Sequence, residues 1–230
     1  MTGFSGFPPE ALGFLRAVDF HQDRAWFQAN KALYDSALQA PFRALMLDCA
    51  AEFARRGLPI TADPARGLFR LQRDVRFAKD KRPYKTSAGA VMTRSGRKDD
   101  PGLVYVHLDP KGCFIGAGVW HPTPPQLQAM RQAILAHPKR FLSLREGLAQ
   151  AGLVLDDAEA LARMPRAFAE HAGSPVADAI RMTNYLVRRP VPDSLMASPA
   201  LVATLADFTE ETLPLLRFLW TAMAEATAGR

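Results

Sequence analysis

Cysteine is nearly absent. The two thiols among 230 residues, Cys49 and Cys113, exclude a disulfide framework and cannot by themselves build a four-ligand zinc site. Long hydrophobic runs are also missing: unbroken apolar stretches last only a few residues, too short to span a bilayer. The opening MTGFSGFPPE holds neither a basic leader nor an apolar stretch of signal length, so the cytoplasm is the expected compartment. No glycine loop with a Walker lysine precedes a helix, and there is no HExxH, paired CxxC or nucleophile-elbow serine. Gly112, Gly116 and Gly118 fall in a hairpin pattern instead. The motifs therefore select no cofactor, no metal site and no familiar enzyme mechanism. What remains is 48% apolar and 23% charged, ordinary for a chain that buries a substantial core. With no repeat, low-complexity tract or obvious linker, the simplest organisation is one domain over residues 1–230.

The net charge of +6 conceals an uneven distribution. Between Arg66 and Lys98 stand eleven Lys/Arg against Asp74 and Asp80, a local charge of +9; the remainder carries 18 basic against 21 acidic residues, or −3. A mildly acidic body thus bears one concentrated positive segment, which draws phosphates, carboxylates, nucleic acids or anionic membrane surfaces.

Apolar spacing predicts helices through Phe14, Leu15 and Val18, through Trp26, Phe27 and Tyr34 with Asp23 as cap, and through Phe42, Leu45, Met46, Cys49 and Phe53, ending at Gly57. From about residue 58 the period shifts. Gly67–Phe77 reads as extended chain, with Arg73 interrupting the apolar parity, and Ala88–Met92 is a second short strand. Leu103–Leu108 and Cys113–Val119 flank the turn Asp109-Pro110-Lys111-Gly112. Thr123-Pro124-Pro125-Gln126 opens the next helix with a capping box, further helices fall near 138–151 and 175–183, and Asn184–Arg189 forms an edge strand. Pro214 is expected to break or kink the last helical region. The fold class is α+β: a small, mostly antiparallel sheet covered by N- and C-terminal helices.

The densest chemistry is the run from Phe69 through Arg70, Arg73, Asp74, Arg76, Phe77, Lys79, Asp80, Lys81, Pro83 and Tyr84 to Lys85 and Thr86. With Asp23–Lys31 upstream, Val104–Leu108 and Gly116–Trp120 downstream, and a weaker echo at Met164-Pro165-Arg166, it resembles the bacterial and fungal family known as domain of unknown function 2461. The resemblance covers most of the chain; Ala78 stands where the family usually has serine, and Ala167 where it usually has glycine. It implies no reaction, cofactor or substrate, so the residues carry the functional reading alone.

Guanidinium groups grip phosphate or carboxylate through two parallel hydrogen bonds. On a regular strand Arg70, Asp74 and Arg76 share a face, while Lys79, Lys81 and Lys85 converge on a loop held by Pro83. The leading expectation is a cradle for a phosphate- or carboxylate-bearing ligand, formed by Arg70, Arg73, Arg76, Lys79, Lys81, Tyr84 and Lys85, with Trp120 lining a cleft. Asp74, Asp80 or His107 are the first candidates for catalysis on it, and His121 lies at the end of the same hairpin. A nucleic-acid module adding Arg94, Arg97 and Lys98 is the second expectation. The third is a scaffold whose charges pair internally, Asp74 with Arg73 or Arg76 and Asp80 with Lys79 or Lys81.

Overall fold

A computed structural model describes residues 3–228. Four antiparallel strands, β1 (Ala88–Thr93), β2 (Leu103–Leu108), β3 (Cys113–Val119) and β4 (Tyr185–Val191), form one sheet in the order β1-β2-β3-β4, and with the helices make an α+β fold. The contacts sort into two compact units. The first takes residues up to Asp100, Val104–Ile115 and Pro190–Phe208; the second takes Pro101–Leu103, Gly116–Arg189 and the chain from Thr209. No helix among the described residues is long and apolar enough to cross a membrane.

In the first unit, α1 (Pro9–His21) starts on proline, whose missing N–H costs nothing at that position, and buries Phe14, Leu15 and Val18. It stops at Gln22, which turns into the left-handed region at φ +23°. Asp23 then caps α2 (Arg24–Ala29), its carboxylate accepting from Trp26 N at 2.7 Å. The short α3 (Lys31–Tyr34) passes through a π-helical turn, Asp35–Gln39, into α4 (Ala40–Arg55). Helix α4 buries Phe42, Leu45, Met46, Cys49 and Phe53, the predicted stripe, and Gly57 follows at φ +67°. A single turn, α5 (Pro64–Gly67), is capped by Asp63 and packs with α4 on β1.

The expected strand over Gly67–Phe77 does not form. Gly67 ends α5, and only two isolated bridges, Leu68 to Ala90 and Gln72 to Tyr84, mark the segment as extended. Beyond Arg73 the chain bends instead of continuing the pairing: the Asp74 carboxylate accepts from the Arg76 N–H at 3.2 Å, and on the return limb Asp80 accepts from the Arg82 N–H at 3.0 Å.

In the second unit, α6 (Pro124–Ala136) opens with the predicted Thr123/Gln126 capping box, followed by α7 (Pro138–Gln150). A 3₁₀ segment at Arg166–His171 and α8 (Ala177–Arg181) lead to β4, which tolerates Pro190 because it is an edge strand. The chain of the first unit then supplies α9 (Asp193–Met196) and the start of α10 (Leu201–Ala228), which continues through Pro214 instead of breaking there. Leu215, Leu216 and Leu219 are fully buried just beyond the proline, and this burial offsets the roughly 3 kcal/mol that an interior proline costs.

Candidate functional site

The basic segment is anchored by its apolar and backbone groups. Leu71 and Tyr84 are buried, the Tyr84 ring lying flat on Phe27 with centroids 4.4 Å apart and planes 8° from parallel. Lys85 N donates to Leu71 O at 2.8 Å and Arg73 N to Pro83 O at 2.8 Å, so the two ends of the segment are clasped. The Gln22 side chain completes the clasp: its amide donates to Tyr84 O at 3.2 Å and accepts from Tyr84 N at 3.1 Å. Tyr84 therefore serves the core through its ring rather than presenting it outward.

Between the clasped ends, most charges satisfy one another. Arg73 Nη1 donates to Asp80 Oδ2 at 2.8 Å and to Arg82 O at 3.1 Å. Arg82 bonds Asp80 and reaches Asp19 of α1 at 3.3 Å. Arg76 grips Asp74 with Nε and Nη2 at 2.9 and 2.6 Å, and Lys81 donates to Val75 O and Arg76 O. The Arg82 side chain and backbone, then Arg73, hold the Asp80 carboxyl well below the usual carboxylate range, and Arg76 depresses Asp74 likewise. Carboxylates so stabilised in the ionised form are weak proton acceptors, which argues against either as a general base.

The remaining cations gather elsewhere. Lys85 Nζ and Lys98 Nζ each lie 5.2 Å from the centroid of Phe69. Burial, then the nearby charges of Arg70 and Lys85, push the Lys98 ammonium below its ordinary pKa. Among the described residues no carboxylate forms an ion pair with Arg70, Lys79, Lys85 or Lys98. Phe69 is held in place by its own N–H, which donates to Gly89 O of β1 at 3.1 Å. Lys98 rides on the turn after β1, where Ser95 N donates to Asp100 Oδ2 at 2.8 Å and Thr93 Oγ1 to Arg97 O at 3.0 Å. The other two basic residues of that turn are engaged: Arg97 with Asp99 at 2.7 Å, Arg94 with Asp100 at 3.9 Å.

Strand β2 supplies the neighbouring groups. Its alternation buries Val104, Val106 and Leu108 and leaves Tyr105 and His107 half-exposed on the other face. Tyr105 lies edge-on to Phe69 at 6.2 Å between centroids, and its hydroxyl meets His107 Nδ1 at 2.9 Å. His107 Nε2 stands 3.5 Å from Asp109 Oδ2, and the imidazole stacks on Phe114 at 4.5 Å. Gly89 makes room for this row, since a β-carbon there would lie 2.3 Å from the Tyr105 hydroxyl. Burial, with Asp109 adding to it, pushes the Tyr105 pKa up to about 12, so the phenol keeps its proton near neutrality.

Of the residues selected from sequence, Lys85 and Lys98 flank one ring, Arg70 lies near enough to Lys98 to disfavour its charge, and His107 is one tyrosine away. Arg73, Arg76 and Lys81 brace the loop, and Lys79 is exposed on it. Trp120 belongs to the second unit, where it stacks on His121 at 4.3 Å with the Arg188 guanidinium 5.7 Å from its centroid. His121 is held at φ +49° by its N–H, which donates to the buried Asn184 side chain at 2.7 Å. The second unit also holds a cavity of about 210 Å³ between Leu148, Leu153, Leu155 and the Arg145–Asp178 pair. Sequence reasoning passed over Phe69, Tyr105 and Asp109. The shared parity of Tyr105 and His107 on one strand was the signal that could have revealed the row. Among the described residues no three His, Cys, Asp or Glu side chains are grouped so as to hold a metal ion.

No curated protein and no solved structure matches the chain. The profile of the conserved hypothetical protein family DUF2461 matches residues 10–218, so the Phe69–Lys85 segment, the β2 row and Lys98 all fall inside the match. The chain belongs to the DUF2461 family of conserved hypothetical proteins.

Proposed function

We propose that this is a cytoplasmic protein that binds a small ligand bearing a phosphate or carboxylate group, held by Arg70, Lys85 and Lys98 around Phe69. The single observation that carries the reading is the gathering of Lys85 and Lys98 at the Phe69 ring, with the Arg70 charge nearby and no carboxylate paired to any of the three among the described residues. Like charges held together in this way are relieved by an anion, and guanidinium and ammonium groups supply the hydrogen bonds it needs. Tyr105 and His107 lie beside the cluster as donors to the same ligand. His107 is the first candidate for proton transfer, because Asp74 and Asp80 are already engaged by arginines. A bound anion raises the depressed Lys98 pKa, so affinity falls as pH rises through that value and binding takes up protons there.

A thermal-shift series with inorganic phosphate, a nucleotide, a sugar phosphate and a short oligonucleotide tests the proposal. Ligand at about a hundredfold its Kd adds about 2.7 kcal/mol, or about 5–10 °C in Tm for a chain of this size. Lys85→Ala with Lys98→Ala abolishes the shift, whereas Arg76→Ala, which alters the braced loop, retains it. Absence of stabilisation by every anion, or stabilisation that survives the double substitution, refutes the reading. The aromatic ring at the centre of the cluster keeps single-stranded nucleic acid as the second reading, since bases stack on such rings. Stabilisation by the oligonucleotide alone, falling steeply with salt, selects it.

A further inference from the structure

Phe77 and Phe20 are the two most exposed large apolar side chains among the described residues, at 95% and 85%. A single exposed apolar residue is ordinary, but two phenyl rings this free on mutually tethered segments need a reason. The tethers are direct. Arg82, at one end of the loop, bonds Asp19, the neighbour of Phe20 in α1, and Gln22, just beyond α1, holds both backbone polar groups of Tyr84.

The loop that carries Phe77 is firmly built. Arg73 bridges to Asp80, Arg76 to Asp74, and Lys81 ties down the carbonyls of Val75 and Arg76. This pairing consumes charge without bringing Phe77 into any core, so its structural effect is to hold the ring outward on a braced platform. The Arg76 guanidinium lies 5.9 Å from the ring centroid. Arg73, Arg76, Lys79, Lys81 and Arg82 against Asp74, Asp80 and the Asp19 partner of Arg82 leave the surface at +2. Lys79, exposed and without an ion pair, is directly available to an external anion.

We infer that the loop 73–82, together with the end of α1, docks the protein reversibly on an anionic lipid surface. Phe77 and Phe20 enter the boundary between headgroups and acyl chains, while the surrounding cations stay among the headgroup phosphates and carboxylates. Charge complementarity selects this occupant: Phe77 is exposed with the Arg76 guanidinium beside its ring and the exposed Lys79 two residues on, the arrangement an anionic bilayer interface rewards. The inference uses side chains other than Arg70, Lys85 and Lys98 and stands or falls independently of the anion site.

Co-sedimentation of the full chain with vesicles tests it, using phosphatidylcholine alone and phosphatidylcholine with about 30% phosphatidylserine. The protein sediments with the anionic vesicles and binds neutral ones at least about tenfold more weakly; salt of about 0.5 M reduces the anionic binding severalfold. Phe77→Ser lowers binding about tenfold, and adding Phe20→Ser lowers it again by a similar factor. Both rings are exposed, so the Phe variants keep the parent Tm; as a check that needs no loss of function, Phe77→Trp gives a fluorescence blue shift on anionic vesicles. Failure to sediment with anionic vesicles, equal binding to neutral ones, indifference to the Phe substitutions, or an unshifted Trp spectrum each overturns the inference and leaves a protein pocket as the occupant to seek.

Discussion

Replacing Gly89 by alanine puts the row on β2 under direct strain. The added β-carbon would stand 2.3 Å from the Tyr105 hydroxyl oxygen, 2.6 Å from Cζ and 2.7 Å from Cε2, all roughly 1 Å inside ordinary contact. The strand cannot easily retreat, because Gly89 O accepts from Phe69 N at 3.1 Å. The tyrosine ring must therefore swing and release its 2.9 Å bond to His107. Overpacking costs about 1–3 kcal/mol and the lost hydrogen bond about 0.5–1.5, while replacing glycine in a strand returns about 0.5–1. The expected result is a net loss of about 0.5–4 kcal/mol in urea unfolding, centred at about 2 kcal/mol, or a Tm lower by about 4–8 °C at that centre. Tyr105→Val removes the ring, and in that background the alanine becomes neutral or stabilising, giving a coupling of at least about 1 kcal/mol. Gly89→Ala at parent stability, or an equal cost in both backgrounds, refutes the steric argument.

Two further expectations follow from titratable groups. Hydrogen bonds from Arg55 and Arg56 lower the Glu52 pKa from 4.5 to about 2, so its stabilising contribution is complete above 4.5 and disappears as pH falls to about 2. Glu52→Gln is accordingly less stable than the parent at neutral pH, and denaturant titrations of the two converge near pH 2; a gap that persists there contradicts the assignment. Cys49 and Cys113 are both buried, and burial is the leading cause raising both thiol pKa values. A thiol reagent should therefore label neither in the native state within minutes and both after denaturation, and rapid native labelling at either position rejects this.

Much of the fold was legible because local chemistry and tertiary contacts agreed. The Asp23 cap, the Thr123/Gln126 box, the β2–β3 turn and the buried stripe of α4 each depend on neighbours within a few residues. Failures came where distant or competing partners intervened. Alternation over Gly67–Phe77 suggested a strand, but side-chain bonds from Asp74 to the Arg76 N–H and from Asp80 to the Arg82 N–H bend the chain beyond Arg73. Pro214 violated a local preference that burial of the surrounding leucines outweighed. The basic segment was visible from composition, yet which cations were spoken for was not. Asp19, outside the segment, pairs with Arg82, while Lys98, thirteen residues beyond Lys85, joins Lys85 at Phe69 within reach of the Arg70 charge. Only folding reveals that distinction.

Gln22 shows how much can rest on one atom. Its carboxamide impersonates a peptide group, offering Tyr84 both the donor and the acceptor that a missing strand neighbour would supply. Hydrolysis to glutamate, the slow chemical ageing to which amides are prone, would exchange that donor for a second negative oxygen facing the Tyr84 carbonyl. The clasp would then repel at one end while still attracting at the other, and the wear of a single side chain would loosen the base of the whole basic segment.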